Sequence, residues 1–198
     1  MATWNNNARD KSKANRGRSF EELINMANRD YQEEGVAVIH KVPTEFLPIR
    51  GKDGKVNGCK VTQKSCVDYL GHYKGIAVAI EAKSVKGNTI SFMEVQDHQA
   101  AFLDDWMSSG QGQKAYILVS FGMEHFYRIP WIYWKSGRDA WHLHRQTGEK
   151  TYRFDLDHGV WRKTKPSTAS LKQEDIPGVF RVRYDYIHGW FPYLQDID

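Results

Sequence analysis

An α/β fold built on a mixed sheet is the fold class that the sequence predicts, from three observations. One stretch shows helical periodicity, several short apolar runs are rich in β-branched residues, and the two kinds of segment alternate along the chain. The order is helix, strand, hairpin-like insertion, strand, helix, strand.

The first element is "SFEELINMANRDYQEEG" (19–35), where Phe20, Leu23, Ile24, Ala27 and Tyr31 fall three and four residues apart and so share one helical face. Ser19 followed by Glu22 is a capping-box pattern, and Gly35 is a stop signal. "VAVIHKV" (36–42) reads as a strand closed by Pro43. Residues 44–64 contain three glycines, a proline and five basic residues, with turn signals at "KDGK" and "NG". They read as a projecting hairpin or loop, and an insertion this long in a compact domain is usually functional or mobile. A strand follows at about 75–83, then a helix over 91–110 and a buried strand at 114–121. Residues 124–137 suggest a strand, a turn at Pro130 and a short helix. The remainder is aromatic and irregular, with a basic Ser/Thr/Pro loop at 161–173 and an alternating strand pattern at 178–187.

The 198 residues suit a single domain, 15–198, preceded by a basic arm, 1–14. Residues 1–18 hold five basic side chains against one acid, which equals the whole formal charge of +4. Such an arm is expected to be flexible alone and to gain energy beside a polyanion by counterion release. The start of the chain lacks an apolar signal-peptide core, and no apolar run nears the roughly 20 residues a membrane helix needs, so a cytoplasmic location and no membrane partner are expected. Cys59 and Cys66 read as free thiols. Of the eight histidines, only "HLH" at 142–144 is paired closely, and on a strand both rings would share a face. A surface or core role is the commoner use of such histidines, and core packing that of the many Trp and Tyr.

The chemistry gathers at "DYLGHYKGIAVAIEAK" (68–83), where an apolar strand ends in two opposite charges. Strand alternation puts Glu81 and Lys83 on one face and Ala82 on the other. The turn signal "LGHYKG" can bring Asp68 back beside Glu81. Two carboxylates and an intervening backbone carbonyl make an oxygen-rich site suited to Mg2+. There a bound cation activates water against a phosphate and a lysine orients that water. An exposed salt bridge at a strand end is the plainer alternative, worth about 0–1 kcal/mol, and the local pattern by itself favours it.

The wider pattern tips the balance. An aspartate, then E-x-K after an apolar strand, with a glutamate on a preceding helix, resembles the PD-(D/E)xK nucleases, although Val67 stands where their proline would. "NRGRSFEELIN" (15–25), "KVPTEF" (41–46), "DYLGHYKG" (68–75), "EAK" (81–83) and "DHQ" (97–99) resemble, in order and spacing, the RecU family of Holliday junction resolvases. The blocks span roughly 15–121, and the stretch beyond carries no usable likeness, which suits a divergent or phage-encoded member. The resemblance implies a restriction-endonuclease-like core with a mixed central sheet flanked by helices, and a stalk-like insertion at about 44–64. It also implies a homodimeric endonuclease dependent on Mg2+, with Mn2+ as a substitute, that acts on four-way DNA in recombination and repair, with other recombination proteins as further partners.

By the same resemblance Asp68 and Glu81 are metal ligands, Lys83 orients water, Gln99 holds a phosphate or water, and Glu21 supports the metal site, with Glu22 as its uncertain neighbour. Phosphate contacts fall to Asn15, Arg16 and Arg18 at the helix start, to Arg50, Lys52, Lys55 and Lys60 on the insertion, and to Lys74. Where the family carries "STTDY", this chain has "SCVDY", so a hydroxyl immediately before Asp68 is missing. Two rival functions share these residues: another nuclease of this fold cutting duplex DNA, and a non-catalytic DNA-binding recombination factor.

Overall fold

The structure is a computed structural model that describes residues 4–148, 152–155, 160–163 and 169–197, and only the backbone of residues 4–16, 18, 61, 63, 152–155 and 160–163. Helix α1 spans Trp4–Glu33. It starts well before Ser19 and takes in most of the segment expected as an arm, because extending a formed helix through Ala-, Lys- and Arg-containing sequence is far easier than starting one. Ser19 therefore lies inside α1 and not at its N-cap. The expected stop holds. Gly35 adopts φ +69°, its N–H donates to the Gln32 carbonyl (3.1 Å), and the Val36 N–H donates to the Tyr31 carbonyl (3.0 Å). This is the Schellman pattern that favours glycine after a helix.

Strand β1 (Ala37–Lys41) follows, then β2 (Glu45–Arg50) and β3 (Val56–Gln63), which pair only with each other. The insertion is thus an antiparallel hairpin, and Phe46, Leu47, Ile49 and Val56 are all exposed on it. Strands β4 (Tyr69–Tyr73) and β5 (Ile76–Val85) form a second hairpin. Its two-residue turn has φ +47° at Lys74 and +84° at Gly75, the doubly positive signature of a type I′ turn. Beyond it come β6 (Thr89–Ser91), α2 (Asp97–Ser108), β7 (Lys114–Phe121), β8 (His125–Pro130) and α3 (Trp131–Thr147). Four short strands complete the described chain: β9 (Tyr152–Asp155), β10 (Val160–Lys163), β11 (Ser170–Lys172) and β12 (Arg181–Val182).

The central sheet runs β1-β4-β5-β7-β8-β12 and is mixed, since β5 and β7 are parallel and every other pair is antiparallel. Helix α2 makes the crossover that a parallel pair requires. One face packs against α1 through Phe20, Ile24, Ala27 and Tyr31, together with Phe191, Tyr193 and Leu194 from the C-terminal segment. The other face is covered by α2 and α3 through Leu103, Trp131 and Trp134. The predicted α/β class with a mixed sheet flanked by helices is the one observed. Strand β5 alternates between these cores, with Val78 and Ile80 facing α1 and Ala79 facing α2. Burying a Val or Ile contributes roughly 1.5–3 kcal/mol, so β5 is a firm support for whatever stands at its end.

Three local expectations give way. The helix expected over 91–110 is a short 3-10 turn at Phe92–Glu94 followed by α2, because Thr89–Ser91 pairs with β11 instead. The helix after Pro130 is long, running to Thr147, so "HLH" lies on a helix where positions two apart diverge by about 200°. His142 and His144 thus point apart, and the shared face that a strand would have provided does not exist. The alternating pattern at 178–187 becomes a 3-10 turn at Gly178–Phe180 and the two-residue β12, because only Arg181 and Val182 find partners on β8.

Candidate active site

The β4–β5 hairpin builds the site. Tyr69 pairs with Ile80, and one further step of the same antiparallel register sets Asp68 opposite Glu81. The Ala82 N–H donates to Asp68 Oδ2 (2.8 Å), and the Val42 N–H donates to the Asp68 carbonyl (2.8 Å). Asp68 is thereby tied to β5 on one side and to the end of β1 on the other.

Glu81 continues the alternation that points Ala79 toward α2, so a carboxylate stands where an apolar side chain would complete that core, and only 1% of it is exposed. Lys83, on the same face, places its ammonium 2.6 Å from Glu81 Oε1. Gln99, in the first turn of α2, donates from Nε2 to the same oxygen (2.6 Å), while its Oε1 accepts the Gln96 N–H (2.9 Å). Both ends of the Gln99 amide are fixed, so it holds Glu81 in one orientation. Glu81 Oε2 is buried and has no partner. Burial, aided by the nearby Asp68 charge, pushes the Glu81 pKa up to about 7, against the pull of Lys83 and Gln99. Burial also raises the Asp68 pKa, which Glu21 raises further, while the Ala82 N–H and Lys83 act to lower it.

An unpartnered carboxylate oxygen beside a second, partly desolvated carboxylate is a site short of positive charge. The donor set therefore fits a divalent cation bound by oxygen. Among the described residues no three His, Cys, Asp or Glu side chains converge closely enough to hold a metal. Asp68 and Glu81 would thus share such an ion with water, backbone or phosphate oxygens.

Asp68, Glu81, Lys83, Gln99 and Glu21 are brought together. Glu21, on α1, acts electrostatically on Asp68, and its carboxylate takes the Lys41 ammonium from β1. Glu22 instead lines a groove with Leu23, Met26 and Tyr186, so of the two helix glutamates Glu21 is the one on the Asp68 side. Lys41 was not foreseen as part of this group. Its only sequence signal was its place at the end of a strand before Pro43. Val67 is fully buried and Cys66 packs beside the same core, so the two residues that replace the family's threonines serve packing.

The remaining candidates lie elsewhere. Lys74 is at the β4–β5 turn, at the opposite end of the hairpin from Glu81, with its ammonium over the Tyr73 ring. Arg50, Lys52, Lys55 and Lys60 are exposed on the β2–β3 hairpin, where Arg50 donates to the Gly54 carbonyl (3.0 Å). Asn15, Arg16 and Arg18 lie inside α1 and not at its start, so the free backbone N–H groups expected there for a phosphate are used within the helix, and their side chains lie outside the described residues.

A family described as Recombination protein U matches residues 15–161, forty residues further than the sequence blocks suggested. The protein named Holliday junction resolvase RecU from Streptococcus pneumoniae (strain CGSP14) is 33% identical over 134 residues, covering 59% of this chain and 67% of that protein. The protein of the same name from Mycoplasmopsis pulmonis (strain UAB CTIP) is 33% identical over 115 residues, covering 58% and 69%. Among solved structures, Hjc of Archaeoglobus fulgidus, described as a Holliday junction resolvase, is 15% identical with a TM-score of 0.36, covering 58% of this chain and 72% of that one. That likeness is remote.

Proposed function

The chain belongs to the RecU family, and from that premise we propose that it is a structure-specific endonuclease that resolves Holliday junctions in DNA recombination and repair. The observation that carries this reading is the buried Glu81, held by Lys83 and Gln99 beside Asp68, with one oxygen unpartnered.

The reaction is phosphodiester hydrolysis, in which a water oxygen bonds to phosphorus and one phosphorus–oxygen ester bond breaks. Asp68 and Glu81 would hold a divalent cation, with Mg2+ the natural choice and Mn2+ a substitute, which when bound would supply polarisation of a phosphate oxygen and a lowered pKa for the attacking water. Lys83, already beside Glu81, orients that water and offsets charge developing on the phosphate. Gln99 keeps the Glu81 carboxylate in place, and Glu21 with Lys41 borders Asp68 on the other side.

Specificity belongs to junction shape and phosphate contacts more than to base readout. The exposed β2–β3 hairpin, with Arg50, Lys52, Lys55 and Lys60, suits insertion between DNA arms. Asn15, Arg16 and Arg18 near the family match's start are further phosphate contacts. Cutting two strands symmetrically needs two facing sites, so we propose a C2 homodimer. Its place of action is the cytoplasm. Among the described residues no helix is long and apolar enough to cross a membrane.

Cleavage of a four-way junction and of linear duplex in Mg2+, by wild type and Asp68→Ala, tests this reading. Junction cuts by the wild type, lost in the variant, are expected. Equal cutting of linear duplex points to a duplex nuclease, and no metal-dependent product at all leaves only a DNA-binding factor.

A further inference from the structure

Lys64 immediately follows β3 and precedes Asp68 by four residues, so it links the projecting hairpin to the candidate active site. Its ammonium lies 3.0 Å from Gln96 Oε1. Lys41, Lys83, Lys135 and Lys172 each hold a carboxylate. Lys64 instead holds a neutral amide, and among the described residues it has no acidic partner. One of its three N–H donors is engaged, which aims the group, while its charge is not cancelled.

Gln96 connects that charge to the chemistry. It is the N-cap of α2, its N–H donates to Gln99 Oε1 (2.9 Å), and Gln99 Nε2 donates to Glu81 (2.6 Å). Two glutamines therefore run from Lys64 to the buried carboxylate. A held, uncancelled and exposed ammonium at this place suits an anion on the path between hairpin and cleavage site.

We infer that Lys64, positioned by Gln96, contacts a backbone phosphate of the DNA strand passing from the hairpin to Asp68 and Glu81. The contact rests on the junction-cleaving reading above. It adds a phosphate anchor for register, with no base preference. It also joins phosphate binding to the Gln96–Gln99 hydrogen bond that fixes Glu81.

The test is equilibrium binding of a labelled four-way junction across a salt series, without a cutting metal, together with thermal midpoints. Lys64→Gln is expected to weaken binding equally for all arm sequences and to reduce the slope of log K against log salt by about 0.9. Lys64→Arg should retain the wild-type slope. Gln96→Glu, which gives the ammonium a carboxylate while keeping an acceptor at the N-cap, should lower the slope as Lys64→Gln does. All thermal midpoints should match wild type. A wild type that binds the junction while Lys64→Gln keeps its slope and affinity overturns the contact alone. A wild type that does not bind the junction overturns the functional reading and this contact with it.

Discussion

Glu81 departs from the strand around it in a way that pH can expose. Its folded pKa of about 7 exceeds the ordinary 4.5, so the folded state keeps a proton that the unfolded chain has released. The stabilisation from this group is fully present below pH 4.5 and is lost as pH rises through about 7. Burial raises Asp68 too, which adds the same sign from its own ordinary value upward. In the metal-free protein the Glu81 contribution amounts to on the order of 3 kcal/mol. Thermal melts in chelator at pH 5 and pH 8 should show Glu81→Gln stabilised relative to wild type mainly at pH 8. A difference independent of pH would contradict the assigned pKa. Divalent cation should raise the wild-type midpoint at pH 8 more than at pH 5, and raise that of Glu81→Gln far less. At this scale Asp68, Glu81 and Lys83 were legible, because strand alternation places the last two together. The fixed rotamer of Gln99 and the approach of Lys41 were not, because each comes from an element distant in sequence.

The β4–β5 hairpin is the element on which the site depends, and its pairing with β1 has one tight point. A Cβ added at Gly71 would run into the Val38 carbonyl oxygen and the Ile39 Cα, which are backbone atoms that cannot rotate aside. Gly71→Ala should therefore force β1 and β4 apart and destabilise the fold by roughly 1–3 kcal/mol, read as a lower denaturation midpoint. An unchanged midpoint would show that the β1–β4 pairing tolerates a side chain there. The "LGHYKG" turn was readable from glycine chemistry, and its type I′ geometry carries it out at Lys74 and Gly75. Helix α3 is longer than its sequence suggests because Gly137, a residue that weakens helices and reads as a stop, stands inside it. Packing of Trp134 and Ala140 in the core decides for helix.

At the scale of the molecule, the chain divides into a layered core and a hairpin outside its central sheet. Since β2 and β3 pair only with each other, replacing residues 47–60 by a short Gly-Ser turn should leave the thermal midpoint close to wild type. The same deletion should erase the preference for a four-way junction over linear duplex in cleavage, if the hairpin reads junction shape. Retained preference would assign shape recognition elsewhere. A C2 dimer predicts twice the monomer mass of 23.0 kDa in sedimentation, and a monomer that still cuts both strands of a junction in one encounter would exclude it.

The fold class, the hairpin insertion and the grouping of Asp68, Glu81 and Lys83 at one strand end can be read from the chain, because they follow from local periodicity, turn chemistry and strand alternation. Packing had to settle which helix glutamate faces Asp68, that Gln99 clamps Glu81, that Lys64 is held by Gln96, and that His142 and His144 diverge. The reason is physical. Alternation along a strand repeats every two residues and is visible in the chain, whereas the rotation of a helix about its axis is set by the surface it buries. Lys64 meets Gln96 across thirty-two residues, and only the packed sheet brings them within 3.0 Å.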